Sequence, residues 1–211
     1  MKQWPVRVIK VGGSLLEFDL LPTRLHAWLE LQPPSHNVII VGGGASVEAV
    51  RDADRRFALG EAFSHRLCLD LMGTTAQLFQ GILSRSTEPT IFLTRGLANL
   101  TEKLLSATTS PLVTIFDAAE FMRNEDEQFS SGSLPQCWDV TSDSIAARIA
   151  VLVAAQELVL LKSAIIPECS RQAASELQFV DRYFERASTN LPVVRAVHLR
   201  SPSLESVMLH R

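Results

Sequence analysis

The sequence predicts an α/β fold, a three-layer α/β/α sandwich built on a largely parallel sheet. Short apolar runs rich in β-branched residues, such as VRVIKV and NVIIV, have the composition of buried strands. Between these runs lie segments whose apolar residues recur every three or four positions, as in helices that cover a sheet. Because strands that alternate with helices favour parallel pairing, we expect helices on both faces of one sheet.

Composition and charge exclude several classes of function. The 211 residues are 46% hydrophobic and carry a formal net charge of -3, which gives no overall attraction to nucleic acid or an anionic membrane. No apolar stretch approaches the roughly 18 residues that span a bilayer. Cys68, Cys137 and Cys169 lack the spacing of a zinc site. We therefore expect a cytoplasmic protein with reduced thiols, and the first residues, MKQWPVRVIK, lack a signal-peptide pattern.

The first predicted strand, VRVIKV at residues 6–11, runs directly into a helical segment. Ser14 and Glu17 match the S-x-x-E capping box, which predicts a helix that begins at Ser14. The following text, LLEFDLLPTRLHAWLEL, has helical spacing with a break expected near Pro22.

The later elements continue the alternation of strand and helix. They are a strand at NVIIV, an amphipathic helix from Val47 to Phe57, a long helix at EAFSHRLCLDLMGTTAQLFQGIL, strands at TIFL, LVTIF, ELVLLK and LPVVRAVHL, and a helix at VTSDSIAARIAVLVAA. In the last helix we expect Thr141 or Ser142 at the N-cap and Asp143 in the first turn. The polar segment 124–136, NEDEQFSSGSLPQ, predicts a loop between two lobes, 1–136 and 137–211.

Two of the strands end in consecutive glycines, Gly12–Gly13 and Gly42–Gly44. Glycines between a strand and a helix let a ligand approach the exposed backbone N–H groups, which favour an anion such as phosphate. Neither turn has the P-loop or the Rossmann pattern. Lys10 precedes the first turn, so its ammonium can neutralise charge on a transferring phosphoryl group. The alternative is a strand-end lysine that reaches solvent.

Four segments, KVGGSLL, IVGGGAS, TSDSIAARIA and LVLLKS, follow one another in the order and approximate spacing of the amino acid kinase family. The chain resembles this family over about residues 6–163; its members include acetylglutamate, aspartate, carbamate, uridylate and isopentenyl phosphate kinases. The resemblance implies ATP-dependent phosphoryl transfer to a small molecule, Mg²⁺ that arrives with ATP, and a homo-oligomer of two or more copies. It also implies that 1–136 is an acceptor-binding lobe and 137–211 a nucleotide-binding lobe of one kinase domain.

The resemblance assigns roles to individual residues. The implied roles are Lys10 as the transition-state lysine, Gly12, Gly13 and Ser14 at the ATP phosphates, Gly42, Gly43 and Gly44 at the acceptor or the transferring group, Asp143 as the organiser of the lysines, and Lys162 at the nucleotide phosphates. From the residues alone, Asp143 is equally explained by the helix dipole and Lys162 by a solvated strand end.

The sequence departs from the family after LVLLKS. Members usually continue with DVDG or KVDG and a long nucleotide-binding segment, whereas this chain continues with AIIPECSRQAA. We therefore expect a shortened nucleotide lobe. A subunit that binds a nucleotide or metabolite without turnover is the alternative to a kinase.

The acceptor is expected near the second glycine turn, with Arg51 and His65 as donors to an anionic group. A surface arginine and a semi-buried histidine are the alternatives. FVDRYFERAS and VVRAVHL resemble short archaeal-type members of the family, including those of methanofuran biosynthesis, which implies a phosphorylated acceptor such as aminomethylfuran phosphate. An amino acid acceptor is the alternative, with Asp52 or Glu48 receiving its ammonium.

Overall fold

One sheet of seven strands organises the residues that the computed structural model describes, namely 4–85, 91–107, 109–129 and 132–211. The strands are β1 (Val6–Val11), β2 (His36–Val41), β3 (Phe92–Thr94), β4 (Val113–Phe116), β5 (Glu157–Lys162), β6 (Val194–His198) and β7 (Ser206–Met208). Their order is β3-β4-β2-β1-β5-β6-β7. Among the described strands only β7 is antiparallel to its neighbour, so the largely parallel sheet is confirmed.

Helices connect the strands over both faces of the sheet. In the described residues they are α1 (Leu21–Glu30), α2 (Ala45–Phe57), α3 (Glu61–Ser84), α4 (Leu97–Ser106), α5 (Ala118–Asn124), α6 (Ser142–Leu152), α7 (Arg171–Glu176) and α8 (Phe184–Ser188). The predicted strands and the long helix are found in their expected order. Of the predicted strand TIFL, Thr90 lies outside the described residues.

Alternate residues of the central strands pack into two separate hydrophobic cores. Val8 of β1 belongs to a core with Phe121 of α5 and Ile145 of α6. Its neighbour Ile9 belongs to a core with Leu25 of α1. Because each such side chain contributes about 1.5–3 kcal/mol when fully buried, both layers of helices are fixed to the sheet. This is the predicted three-layer α/β/α sandwich.

The structure corrects the start of the first helix. Residues Gly13–Glu17 form a 3-10 helix without a side-chain cap, and α1 begins only at Leu21 with Pro22 in its first turn. Proline fits there because a first-turn N–H has no partner within the helix. Ser14 instead places its Oγ 2.8 Å from Ser163 Oγ at the end of β5. The capping box predicted from Ser14 and Glu17 is therefore wrong.

The sheet is continuous across the expected lobe boundary at residue 136. β1 pairs with β2 of the first half on one side and with β5 of the second half on the other, so the two halves share one sheet. The division into lobes 1–136 and 137–211 stays a prediction. Among the described helices, none has the length and apolar character that a membrane crossing requires.

Candidate active site

The two glycine turns lie side by side at the carboxyl ends of β1 and β2. These strands are parallel neighbours with Val11 opposite Val41, and the backbone N–H of Gly42 donates to Val11 O at 3.0 Å. A Cβ added to Gly13 would lie 2.2 Å from Gly44 N. No side chain fits at that distance, so only glycine at position 13 lets the turns meet. The exposed N–H groups of both turns can therefore serve one anionic ligand.

Lys10, Asp143 and Lys162 meet directly beside these turns. Lys10 comes from β1 and Lys162 from the end of its neighbour β5, while Asp143 lies in the first turn of α6. Asp143 Oδ1 lies 2.9 Å from Lys10 Nζ, and Asp143 Oδ2 accepts a hydrogen bond from Lys162 Nζ at 2.8 Å. One carboxylate thus bridges two ammonium groups, each through a different oxygen. The structure brings together three residues that are 133 and 19 positions apart in sequence.

Burial and charge act in opposite directions in this cluster. Burial alone would raise the pKa of Asp143, but the charges of Lys10 and Lys162 outweigh it and lower that pKa to about 2. Burial lowers the pKa of Lys162 to about 8, although the Asp143 carboxylate opposes the change. At neutral pH the cluster is therefore a carboxylate between cations, a form suited to contact phosphate oxygens.

The sequence did not single out Asp181, which caps α6. Thr141 occupies the N-cap position as expected, but its own side chain accepts no capping hydrogen bond. Asp181 Oδ2 accepts hydrogen bonds from Thr141 N and Ser144 N, both at 3.0 Å. The signal that could have found it is an aspartate in a segment rich in aromatic and apolar residues, FVDRYF, although Arg182 follows it directly.

A cavity of about 360 Å³ opens next to the second glycine turn. Its walls include the apolar residues Leu69, Met72, Val140 and Ile145. Both glycine turns line it, as do Arg51 and His65, so the residues expected to bind the phosphoryl acceptor line a single cavity. Such a volume suits a small metabolite with an apolar body.

Arg51 and His65 present polar atoms that the described residues leave without a hydrogen-bond partner, Arg51 Nε and His65 Nδ1. The Arg51 guanidinium lies over the Trp138 ring, 4.7 Å from its centroid, and Arg51 Nε is 3.7 Å from Glu48 Oε2. Trp138 is itself held by Asp54, whose Oδ2 accepts from Trp138 Nε1 at 2.7 Å. The Arg51 head is thus oriented by contacts that leave its Nε free to donate.

His65 is 4% exposed, and burial lowers its pKa, so the imidazole is neutral at pH 7. It can therefore offer an uncharged hydrogen bond to an acceptor in this cavity, whereas Arg51 offers a charged one.

A second cavity, of about 740 Å³, lies beside Lys162 and Asp143. Phe179 and Asp181 of the C-terminal segment line it, and Ser14 lines both this cavity and the one at the glycine turns. Beyond β5 the sheet contains only β6 and the three-residue β7 among the described residues. The nucleotide-binding role of this segment and its shortening stay predictions.

Comparison with known proteins relates this arrangement to a family. The family model described as "Amino acid kinase family" matches residues 5–164. The chain is 26% identical over 159 residues to [5-(aminomethyl)furan-3-yl]methyl phosphate kinase of Methanocaldococcus jannaschii, a match that covers 74% of this chain. It spans 64% of that curated relative's length.

Solved structures of UMP kinases have the same fold. The structure from Bacillus anthracis has a TM-score of 0.67 at 10% identity, and that from Ureaplasma parvum a TM-score of 0.66 at 11% identity. Each alignment covers 99% of this chain and 100% of the UMP kinase. Because the family model spans most of the chain and the fold agrees, the protein belongs to the amino acid kinase family.

Proposed function

We propose that the protein transfers a phosphoryl group from ATP to a small anionic metabolite. The observation that carries this proposal is the Asp143 carboxylate between Lys10 and Lys162, 2.9 Å and 2.8 Å from their Nζ atoms, beside two adjoining glycine turns. Phosphoryl transfer needs positioning and fixed positive charge more than covalent chemistry, and this cluster supplies both. Family membership supports the same activity.

In this proposal Lys10 stabilises the charge of the transferring phosphoryl group, and Lys162 binds the nucleotide phosphates. Gly13 and Ser14 offer donors to ATP, and Gly12 lets the phosphates approach while its own N–H donates to Leu161 O at 2.9 Å. In the Gly42–Gly44 turn, Gly43 and Gly44 offer donors to the acceptor or the transferring group, because Gly42 N donates to Val11 O. Asp143 holds the ammonium groups of both lysines in place, so the site needs no reorganisation during the reaction.

The donor set fits ATP better than it fits a resident metal ion. Within the described residues no group of three or more His, Cys, Asp or Glu side chains could hold a metal. Mg²⁺ would therefore be held mostly by phosphate oxygens and water, where it would supply neutralising charge.

The acceptor cavity supports a compact molecule with a phosphate or another anionic head. Arg51 Nε and His65 Nδ1 are buried polar atoms without a hydrogen-bond partner among the described residues, and the remaining wall is largely apolar. The M. jannaschii relative acts on an aminomethylfuran phosphate, a ring that carries both a phosphate and an amine. We propose an acceptor of this phosphorylated class.

A second candidate acceptor is an amino acid, because Glu48 and Glu17 also line the cavity and can receive an ammonium group. Asp52 instead pairs with Arg55 on the exposed side of α2, so Glu48 is the better-placed of the two acids considered from the sequence. The aminomethyl group of a phosphorylated acceptor would bind the same acids. Their presence therefore does not distinguish an amino acid acceptor from a phosphorylated one.

The test is an assay of ADP formation with the purified protein, ATP, Mg²⁺ and a panel of acceptors. The panel contains aminomethylfuran phosphate, isopentenyl phosphate, UMP, aspartate, acetylglutamate and carbamate, and Lys10→Met protein controls for contaminating kinases. Turnover with a phosphorylated acceptor is the expected result. Turnover with an amino acid alone contradicts the proposed acceptor class, and ATP affinity without any turnover favours a non-catalytic binding subunit.

We also propose that the protein acts in the cytoplasm as an assembly of two or more copies. Cys68, Cys137 and Cys169 are free thiols, which suits a reducing compartment. Leu78 of α3 and Phe92 of β3 are 54% and 60% exposed, and such apolar side chains favour contact with a second copy. Light scattering on the purified protein measures the number of copies.

A further inference from the structure

The first turn of α6 is capped by Asp181, which lies 40 positions after Thr141 and 37 positions after Ser144. Asp181 accepts hydrogen bonds from Thr141 N and Ser144 N, from Thr141 Oγ1 at 2.8 Å, and from Ser144 Oγ. In most helices the N-cap residue itself serves the third N–H. Here the Thr141 hydroxyl donates to Asp181, so the distant carboxylate takes over the capping role.

The Asp181 cap holds the backbone on both sides of Asp143. Thr141 and Ser144, the residues that flank positions 142 and 143, are both bonded to Asp181, which fixes the backbone from which the Asp143 side chain projects. Asp143 in turn reaches two lysines with separate oxygens, at 2.9 Å and 2.8 Å. A displacement of about 1 Å would break one of these contacts, and errors of that size can lower a rate about 10²-fold.

The segment that carries Asp181 also contacts Lys162. Phe179 O accepts a hydrogen bond from Lys162 Nζ at 2.9 Å, and the Phe179 ring centroid lies 5.1 Å from the same Nζ. Gln178, the residue before it, has a φ of 57°, in the left-handed region that residues with a Cβ rarely adopt. Strained backbone of this kind persists where the surrounding structure holds it. Residues 178–181 thus contact both the lysine and the helix that carries Asp143.

We propose that Asp181 is a positioning residue for phosphoryl transfer: through its cap on α6 it aims Asp143 at Lys10 and Lys162. This role rests on the proposed kinase function. Asp181 acts through Asp143, so its loss is expected to lower kcat by about tenfold or more while both lysines remain in the chain.

Charge provides a second readout, one that a cap remote from the cluster would not change. The charged groups that act on Lys162 are Asp143 and Asp181, which raise its pKa, and Lys10, which lowers it. Because Asp181→Asn removes a negative charge near Lys162, the pKa of Lys162 should move further down. A cap that served stability alone, at a distance from the lysine, would leave this titration in place.

The experiment compares Asp181→Asn with the wild-type protein in two measurements. The first is kcat with saturating ATP and acceptor. The second is the rate at which acetic anhydride acetylates Lys162 between pH 6 and 10, followed by mass spectrometry of the peptide that contains it. The variant should lose at least about tenfold in kcat, and the midpoint of Lys162 labelling should shift to lower pH.

Asp117→Asn is the matched control, since Asp117 is a buried carboxylate that caps α5 by accepting from Glu120 N at 3.2 Å. It should lower the melting temperature and leave both readouts unchanged. If folded Asp181→Asn retains wild-type kcat and the wild-type labelling midpoint, the proposal is overturned. If Asp181→Asn does not fold, Ser144→Ala decides: it removes one hydroxyl contact to Asp181, and an unchanged kcat contradicts the proposal.

The labelling arm also separates this proposal from the proposed function. If the wild-type protein phosphorylates no acceptor in the panel, the proposed function fails. The shift of the Lys162 titration would still show whether Asp181 acts on the cluster.

Discussion

Replacing Asp143 by asparagine should reduce catalysis far more than stability. The variant keeps the shape of the side chain but leaves Lys10 and Lys162 beside each other without the carboxylate between them. Burial would raise the pKa of Asp143, and the two lysines lower it from 3.8 to about 2. At 1.36 kcal/mol for each pKa unit, the charged form contributes about 2 kcal/mol to the free energy of unfolding at pH 7.

The sign of this contribution fixes its pH dependence. Because the pKa of Asp143 is lower in the folded protein than in the unfolded chain, its stabilisation is present above about pH 4. It should disappear as the pH falls through about 2, where the folded-state carboxylate becomes protonated. In Asp143→Asn this part of the pH dependence should be missing.

A loss of about 2 kcal/mol corresponds to a decrease in melting temperature of about 4–8 °C for a chain of this size. The two unpaired cations push the loss towards the 3–5 kcal/mol range of a broken buried pair. We expect kcat to fall at least about 10²-fold, because both lysines lose the group that orients them. Thermal melts and steady-state kinetics on one preparation measure both effects.

Asp126→Asn is the matched control for Asp143→Asn. Asp126 is also buried and lies 2.8 Å from Arg148 Nε, but it lines neither of the two cavities at the site. It should lower the melting temperature without lowering kcat. If Asp143 served only the helix dipole, its replacement would cost at most about 1 kcal/mol and leave kcat intact. A folded Asp143→Asn protein with kcat within about threefold of wild type would refute the catalytic role.

Three further predictions concern the same site. Lys10→Met should lower kcat by about 10²–10³ and also lower the melting temperature, because it removes one of the two cations paired with the buried Asp143 carboxylate; a folded variant with near-wild-type turnover would exclude the assigned role. Burial lowers the pKa of Lys162 to about 8, so kcat should decline as the pH rises through 8 and the ammonium is lost; a pH–rate profile that is flat to pH 10 contradicts this. Gly13→Ala should weaken ATP binding in calorimetry, because its Cβ would lie 2.2 Å from Gly44 N, whereas Gly81→Ala, which has open space at that position, should bind like wild type.

Local sequence signals were sufficient for six of the seven described strands and for part of the site. The glycines after VRVIKV and NVIIV mark where two strands end, and parallel pairing then places both turns at one edge of the sheet. Lys10 and Lys162 are visible for the same reason, because each lies at or near the carboxyl end of a buried strand. Their contact with Asp143 depends on how α6 crosses the sheet, and only the family resemblance indicated it.

The remaining features depend on contacts between distant segments. Asp181 is 40 positions from Thr141, and nothing near either residue predicts that they bond. The capping box at Ser14 failed for a related reason, since its hydroxyl lies beside Ser163, 149 positions away. β7 was missed because its three residues, none of them fully buried, carry no apolar pattern. In each case tertiary contact prevails over the local pattern.

A crystal structure with a non-hydrolysable ATP analogue and Mg²⁺ tests the central claim most directly. The claim is that Lys10, Asp143, Lys162 and the two glycine turns form one phosphoryl-transfer site. We expect terminal phosphate oxygens at hydrogen-bond distance, about 3 Å, from Lys10 Nζ and from backbone N–H groups of both turns. Phosphates bound elsewhere on the protein, with the Lys10–Asp143–Lys162 cluster not contacting them, would contradict the claim.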